Sequence, residues 1–170
     1  MSSVVGIDLS SFAVDLVRLD ETENNAEWER VTLVGKIAWD RTLELPEAMP
    51  AASWYDDVYL VAIEAPYGSR QPGTTAILNR IVGAIVATLP SALRVPERCW
   101  IVRPDEWKTE LALKKKPTTE DIERLLPGLT IQGPQTTLFL QGPQDQWDAL
   151  CLALYARRVN ARAVALAAAW

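Results

Sequence analysis

Four acidic residues occupy positions where acidic side chains are unusual. Asp8 interrupts an apolar run near the N-terminus, and Glu64 directly follows a second apolar run. A buried carboxylate is costly unless it has a cation, a basic partner or access to solvent. Asp145 and Asp148 are three residues apart at the start of a predicted helix, so both lie on one face of it.

Each acid also has a purely structural explanation. The helix dipole stabilises a carboxylate at a helix N-terminus, which would account for Asp145. Glu64 would close a strand into a turn. Asp8 is harder to explain in this way, because aspartate is disfavoured inside strands. The four acids together therefore indicate chemistry more strongly than any one of them.

The chemistry in question is metal-assisted hydrolysis. If neighbouring strands bring Asp8 and Glu64 together and the last helix crosses them, three or four carboxylates converge. Such like charges cannot all stay ionised without compensation. Mg²⁺ or Mn²⁺ provides it, because these hard cations prefer oxygen ligands. Two such ions about 4 Å apart activate a water and stabilise the leaving oxygen in a phosphoryl displacement.

Composition excludes several other mechanisms. The 170 residues include no histidine and two cysteines, Cys99 and Cys151. Without histidine there is no Ser-His or Cys-His nucleophile pair and no histidine-ligated zinc. Two cysteines are too few for a thiolate-only zinc site or a disulfide scaffold. Polar chemistry is left to carboxylates, hydroxyls, lysines or a metal bound through oxygen.

The net charge of −5 hides an asymmetry along the chain. Residues 1–64 carry 4 basic and 13 acidic side chains, whereas residues 65–170 carry 13 basic and 9 acidic ones. Binding follows the local potential, so the basic part can still bind phosphate. Ordinary scatter of solvated surface charge explains the same counts.

The hydrophobic pattern predicts the elements that position the acids. In chain order we expect a hairpin of Val4–Leu9 and Phe12–Leu19, a third strand within Trp28–Trp39, at most a short helix near Glu47–Tyr55, a strand at Val58–Ile63, a helix at Thr74–Leu89, a strand at Cys99–Val102, a short helix from Pro104, a capped helix from Thr118 to Leu126, and a last helix from about Pro143 to Ala168. This order implies an α/β fold with a mixed sheet and helices on both faces. We expect a single domain over residues 1–170. No signal peptide or membrane span is visible in the sequence, so a cytoplasmic location is expected.

Four segments resemble the RuvC-type Holliday junction resolvases, which belong to the RNase H-like (retroviral integrase-like) superfamily. In order and spacing they are VVGIDLSS, VYLVAIEAPYG, LNRIVGAIVA and QDQWDALCLALY. The most specific element is the set of four acids together with the D-x-x-D-A opening of the last helix. The resemblance covers nearly the whole chain, and residues 21–57 are its weakest part. It implies a mixed five-stranded sheet and a Mg²⁺- or Mn²⁺-dependent endonuclease that resolves branched DNA in recombination and repair.

The resemblance also implies roles for individual residues. Two metal ions per active site, and catalysis, would depend on Asp8, Glu64, Asp145 and Asp148. Lys108, in the Trp107-Lys108 pair, would face the scissile backbone. A second functional lysine is expected in the following loop, where Lys114, Lys115 and Lys116 all compete.

Further residues are candidates for DNA contact. The resemblance implies that Tyr67 contacts bases near the junction point. Pro66 and Gly68 predict that Tyr67 lies in a loop, where an exposed tyrosine can stack on an unpaired base. A core aromatic is the alternative for Tyr67. Phosphates could be contacted by loop cations near the acids, which are Arg70, Lys108, Lys114, Lys115 and Lys116.

The resemblance implies a homodimer that uses the helix around Gly83, with Ile81 and Ile85 serving both core and interface. Two-fold symmetry would present two active sites to a four-way junction.

Three alternatives to this function stay open. The first is another RNase H-like nuclease that acts on forks, flaps or RNA precursors. The second is a catalytically silent DNA-binding or scaffold protein on the same fold. The third is a fragment of the actin-like ATPase fold, because GIDLSS also resembles the first phosphate loop of that group.

Overall fold

A computed structural model describes residues 2–10, 13–22, 24–35, 38–66, 72–132 and 144–169, and for residues 38, 39, 72, 144 and 145 it describes the backbone alone. The described strands are β1 (Ser3–Leu9), β2 (Ala13–Asp20), β3 (Asn25–Thr32), β4 (Val58–Glu64), β5 (Cys99–Val102) and β6 (Thr130–Gln132). They form one mixed sheet in the order β5-β4-β1-β2-β3-β6. The predicted α/β class is confirmed, but the described residues form a sheet of six strands and not five. The additional strand is β6, which pairs in parallel with β3 at the edge of the sheet.

The helices are α1 (Ala38–Ala48), α2 (Pro72–Thr88), α3 (Pro104–Glu110), α4 (Thr119–Leu125) and α5 (Gln144–Ala168), with short 3-10 turns at Ala52–Tyr55 and Ser91–Leu93. The predicted Thr118 capping box of α4 is present, because the Thr118 hydroxyl accepts from the Asp121 amide and the Asp121 carboxylate accepts from the Thr118 amide. None of the helices in the described part of the chain is both long and apolar enough to span a membrane.

Two apolar layers lie on opposite faces of the sheet. Residues of β1 alternate between them, so that Val5 and Ile7 pack with α1 and α2, whereas Val4 packs with α5. The hairpin of β1 and β2 is stabilised at its turn, where the Ala13 amide donates to the hydroxyl of Ser10. Helices therefore cover both faces, as the sequence predicts.

Helix α1 differs from the sequence prediction. The third strand ends at Thr32, and a helix follows it at Ala38–Ala48 with Pro46 inside. Proline ordinarily breaks a helix, which is why the sequence predicts at most a short helix near Glu47–Tyr55. Leu45 and Met49 are four residues apart and both are buried against the sheet, so packing of this apolar stripe outweighs the local cost of the proline.

Helix α2 places two of the predicted interface residues inside the chain. Ile81 and Ile85 have no exposed surface, because their side chains pack under the helix against the sheet. The double role expected for them is therefore not supported by their position. Gly83 lies on the outer side of the helix, where an added Cβ would meet no described atom.

Candidate active site

Three of the predicted acids line one cleft. Ile7 of β1 pairs with Ile63 of the parallel strand β4, so the next residues, Asp8 and Glu64, lie side by side at the carboxyl ends of the two strands. Asp148 of α5 lines the same cleft, which has a volume of about 410 Å³. Asp8 and Asp148 are each 7% exposed. The carboxyl ends of parallel strands are the usual location of binding sites in open α/β sheets.

Gly6 allows α5 to approach closely enough to bring Asp148 to the cleft. The helix passes directly over β1, and a Cβ at Gly6 would clash with the backbone of Ala149 and Ala153. Asp8 follows Gly6 by two residues, so it points toward the same helix. Asp148 immediately precedes Ala149, which places its carboxylate beside the ends of the two strands.

Glu64 is held by a neighbour from α3. The indole Nε1 of Trp107, which is completely buried, donates a hydrogen bond to Oε2 of Glu64 at 3.1 Å. Burial and the nearby Asp148 carboxylate raise the pKa of Glu64 above its ordinary value, whereas the Trp107 hydrogen bond and the positive charges of Lys108 and Lys116 act in the opposite direction. The cleft therefore brings together carboxylates that repel one another and cations that partly balance them.

The lysines separate into two groups. Lys108 and Lys116 line the cleft with the three acids. Lys108 also lies against the aromatic neighbour that precedes it, with its Nζ 4.9 Å from the centre of the Trp107 ring. Lys114 and Lys115 line a neighbouring hollow of about 300 Å³, to which Lys116 also contributes. Of the three competing lysines, Lys116 is the one that lies at the acidic cleft.

The sequence matches no protein-family model and no curated protein sequence. Solved structures do match it across nearly the whole chain. A Thermus thermophilus RuvC in complex with a Holliday junction substrate matches with a TM-score of 0.63 and 17% identity, covering 91% of this chain and 92% of that one. A second Thermus thermophilus RuvC structure gives a TM-score of 0.59 at 18% identity, covering 90% and 92%. The yeast mitochondrial Holliday junction resolvase Ydc2 gives 0.64 at 15% identity, covering 95% and 81%.

The chain has the RuvC-type, RNase H-like fold. Three of the predicted site residues lie wholly or partly outside the described residues. The backbone of Asp145 lies in the first turn of α5, but its side chain is outside the description. Tyr67 and Arg70 lie outside the described residues altogether.

On this fold, Asp8, Glu64 and Asp148 line one cleft without forming a closed cluster of ligands. Among the side chains that the structure describes, no group of three or more histidine, cysteine, aspartate or glutamate residues is arranged to hold a metal ion. The Asp148 carboxylate disfavours the charged form of Glu64, as expected for like charges in one cleft. The donors themselves are oxygen atoms of mostly buried carboxylates, which is the donor type that Mg²⁺ and Mn²⁺ prefer.

Two features of the site are not found by sequence reasoning alone. The first is the hydrogen bond from Trp107 to Glu64, because the sequence indicates only an apolar residue before Lys108. The second is Asp15, a carboxylate of β2 inside the predicted strand Phe12–Leu19. It is 1% exposed and lies opposite Asp8 in the β1–β2 pairing. The hairpin register would have revealed it, since that register decides which residue of β2 faces Asp8.

Proposed function

We propose that this protein is a metal-dependent nuclease that resolves four-way DNA junctions and related branched DNA. The observation that carries the proposal is the cleft in which Asp8, Glu64 and Asp148 meet Lys108 and Lys116. One of the similar structures is a RuvC in complex with a Holliday junction substrate, and another is a Holliday junction resolvase. Acidic and basic groups side by side suit a substrate that is a polyanion cleaved with the help of cations.

The acids would hold Mg²⁺ or Mn²⁺, two ions per site. Asp8, Glu64 and Asp148 are the proposed ligands, and Asp145 of the same helix turn would assist. A divalent cation among them would offset the repulsion that raises the pKa of Glu64. When bound, such ions supply an activated water and stabilise the leaving oxygen of an in-line phosphodiester hydrolysis.

The chain's own residues would orient the substrate and the ligands. The Trp107 indole keeps one oxygen of Glu64 fixed, which leaves its other oxygen for the cation. Lys108 and Lys116, which line the same cleft as the acids, would bind phosphates of the substrate. Lys114 and Lys115 are exposed beside them and would extend this contact along the backbone. Tyr67 and Arg70 are proposed to contact DNA from the loop that follows β4.

A homodimer is part of the proposal. A four-way junction has two symmetric strands to cut, so two copies related by a two-fold axis would place one active site at each. Analytical ultracentrifugation checks the oligomeric state, and counting cuts per binding event on a supercoiled cruciform checks its consequence. Two cuts made within the lifetime of one complex support the dimer.

The deciding experiment is cleavage of synthetic four-way junctions with Mg²⁺ or Mn²⁺. Wild type is compared with Asp8→Asn and Asp148→Asn, and with Asp56→Asn as a matched control, because Asp56 is exposed and does not line the cleft. We expect both cleft variants to lose cleavage and the control to retain it. Cleavage that survives in both cleft variants would contradict the proposed function. Cleavage rates measured in parallel on forks, flaps and structured RNA decide which substrate is preferred. Junction binding without cleavage in any divalent metal would identify a catalytically silent DNA-binding protein.

A further inference from the structure

Three charged side chains form a row across neighbouring strands. The strand register places Asp8 of β1 opposite Asp15 of β2, and Asp15 opposite Arg30 of β3. These residues alternate along their strands with the same phase as Val17 and Trp28, which pack against α5. The row therefore lies on the face of the sheet that carries the cleft. Neighbouring strands are roughly 5 Å apart, so Asp15 separates Arg30 from Asp8.

Asp15 holds the guanidinium of Arg30 in place. The carboxylate is 1% exposed, and its Oδ1 lies 3.5 Å from Nη1 of Arg30. The indole Nε1 of Trp28 donates to the same oxygen at 3.3 Å. Asp15 is shielded from solvent and Arg30 is partly exposed, since their side chains are 2% and 26% exposed. A charge in such surroundings keeps its partner closely, because losing the partner leaves it uncompensated.

We infer that Asp15 is a positioning residue for the cation site of the cleft, because it retains the positive charge of Arg30 one strand away from Asp8. The inference rests on the proposed function, since it concerns the divalent cation that Asp8 would bind. A guanidinium released from Asp15 would be drawn to the nearest carboxylate in the row, which is Asp8, and would repel or displace that cation. With Asp15 present, Asp8 remains the negative end of the row.

Charge arithmetic along the row gives opposite effects for the loss of Asp15 and the loss of Arg30. Asp15→Asn leaves the charge of Arg30 without its carboxylate, so Mn²⁺ binding weakens by about three- to tenfold, as expected for one charge shifted near a divalent ion. Arg30→Gln leaves the row with two net negative charges, so Mn²⁺ binding tightens. The double variant restores a row with one net negative charge and binds Mn²⁺ as wild type does. Asp15→Glu keeps the charge and therefore keeps the affinity.

The experiment measures Mn²⁺ binding to the full chain without DNA, from the electron paramagnetic resonance signal of the free ion. Urea unfolding of each metal-free variant reports the folded fraction, to which the binding is normalised. The matched controls are Arg162→Gln and Glu110→Gln, which break another arginine–carboxylate pair whose atoms are 2.7 Å apart and whose residues do not line the cleft. These controls leave the Mn²⁺ affinity unchanged. Asp8→Asn identifies the binding that belongs to the cleft.

Opposite shifts for Asp15→Asn and Arg30→Gln, cancelled in the double variant, support the inference. A merely structural ion pair would shift both variants in the same direction or leave both affinities unchanged, and either result overturns it. If Asp15→Asn does not fold, the other two variants decide. Tighter Mn²⁺ binding by Arg30→Gln together with unchanged Mn²⁺ binding by Asp15→Glu supports the inference, and any other result overturns it. Wild-type protein that binds Mn²⁺ no better than Asp8→Asn would overturn the proposed metal site and the inference with it. Normal cleft binding without the opposite shifts overturns the inference alone.

Discussion

The indole Nε1 of Trp107 donates to Oε2 of Glu64 at 3.1 Å, and this hydrogen bond joins α3 to the carboxyl end of β4. It constrains the orientation of the Glu64 carboxylate. Because Trp107 is followed by Lys108, the same short helix supplies a hydrogen-bond donor to the acid and a cation to the cleft wall. The geometry of the helix thus couples the position of Glu64 to that of Lys108.

Replacing Trp107 by phenylalanine should destabilise the protein both by removing the donor and by leaving a cavity. A double-mutant cycle with Glu64→Gln separates the two, because the cavity is common to both backgrounds. Hydrogen bonds to charged acceptors are stronger than those to neutral ones, so the cycle should give a coupling of about 1 kcal/mol. Urea unfolding at neutral pH measures it. A coupling of zero would mean that the bond does not distinguish a charged Glu64 from a neutral side chain.

Glu64→Gln should stabilise the metal-free protein at neutral pH. Burial and the Asp148 carboxylate raise the pKa of Glu64 in the folded chain, so the folded state favours the protonated form. Protonation of Glu64 contributes fully to the free energy of unfolding below the pKa that Glu64 has in the unfolded chain. This contribution is lost as the pH rises through the higher pKa that Glu64 has in the folded chain. Glutamine is neutral at every pH and does not lose this contribution. Glu64→Gln should therefore be more stable than wild type above the two pKa values of Glu64, and the difference should shrink toward acidic pH. Urea midpoints measured in chelator across this range provide the check, and a constant difference between the two proteins would contradict it.

Gly6→Ala should destabilise the fold, because the new Cβ meets the backbone of Ala149 and Ala153 in α5. Overpacking of this kind costs about 1–3 kcal/mol, and more where backbone must shift. Gly83→Ala is the matched control, since a Cβ there meets no described atom and alanine is the better helix former by about 1 kcal/mol. Urea midpoints should move in opposite directions for the two variants. Junction cleavage should also fall in Gly6→Ala, because α5 carries Asp148.

The sequence predicts the parts of the site that depend on local pattern. Asp8 and Glu64 stand out because each interrupts or ends an apolar strand, and α5 is predicted within a residue or two because its acidic start precedes a long apolar face. Pattern alone fails where tertiary packing decides. Pro46 is tolerated inside α1 because the helix buries Leu45 against the sheet.

Long-range pairing explains the remaining differences. The role of Asp15 depends on the register between β1 and β2, which no local pattern contains. The choice among Lys114, Lys115 and Lys116 depends on the path of the chain between α3 and α4, where three identical side chains follow one another. Neighbouring identical residues carry no signal that separates the one at the cleft from those beside it.

Lys108→Gln and Lys116→Gln should weaken junction binding and reduce its dependence on salt. Each phosphate that a lysine no longer neutralises lowers the slope of log affinity against log salt concentration by about one unit, because fewer counterions are released on binding. Arg124→Gln is the control, since Arg124 pairs with Asp121 on α4 and does not line the cleft. Fluorescence anisotropy in Ca²⁺ over a range of salt concentrations measures the slopes without cleavage. Because the net charge is −5, attraction to DNA must come from local groups of positive charge. If the cleft lysines are such a group, the wild-type slope should also flatten when the divalent ion is removed and the acids are left unmasked. Slopes for Lys108→Gln and Lys116→Gln equal to that of Arg124→Gln would place the DNA contact elsewhere on the protein.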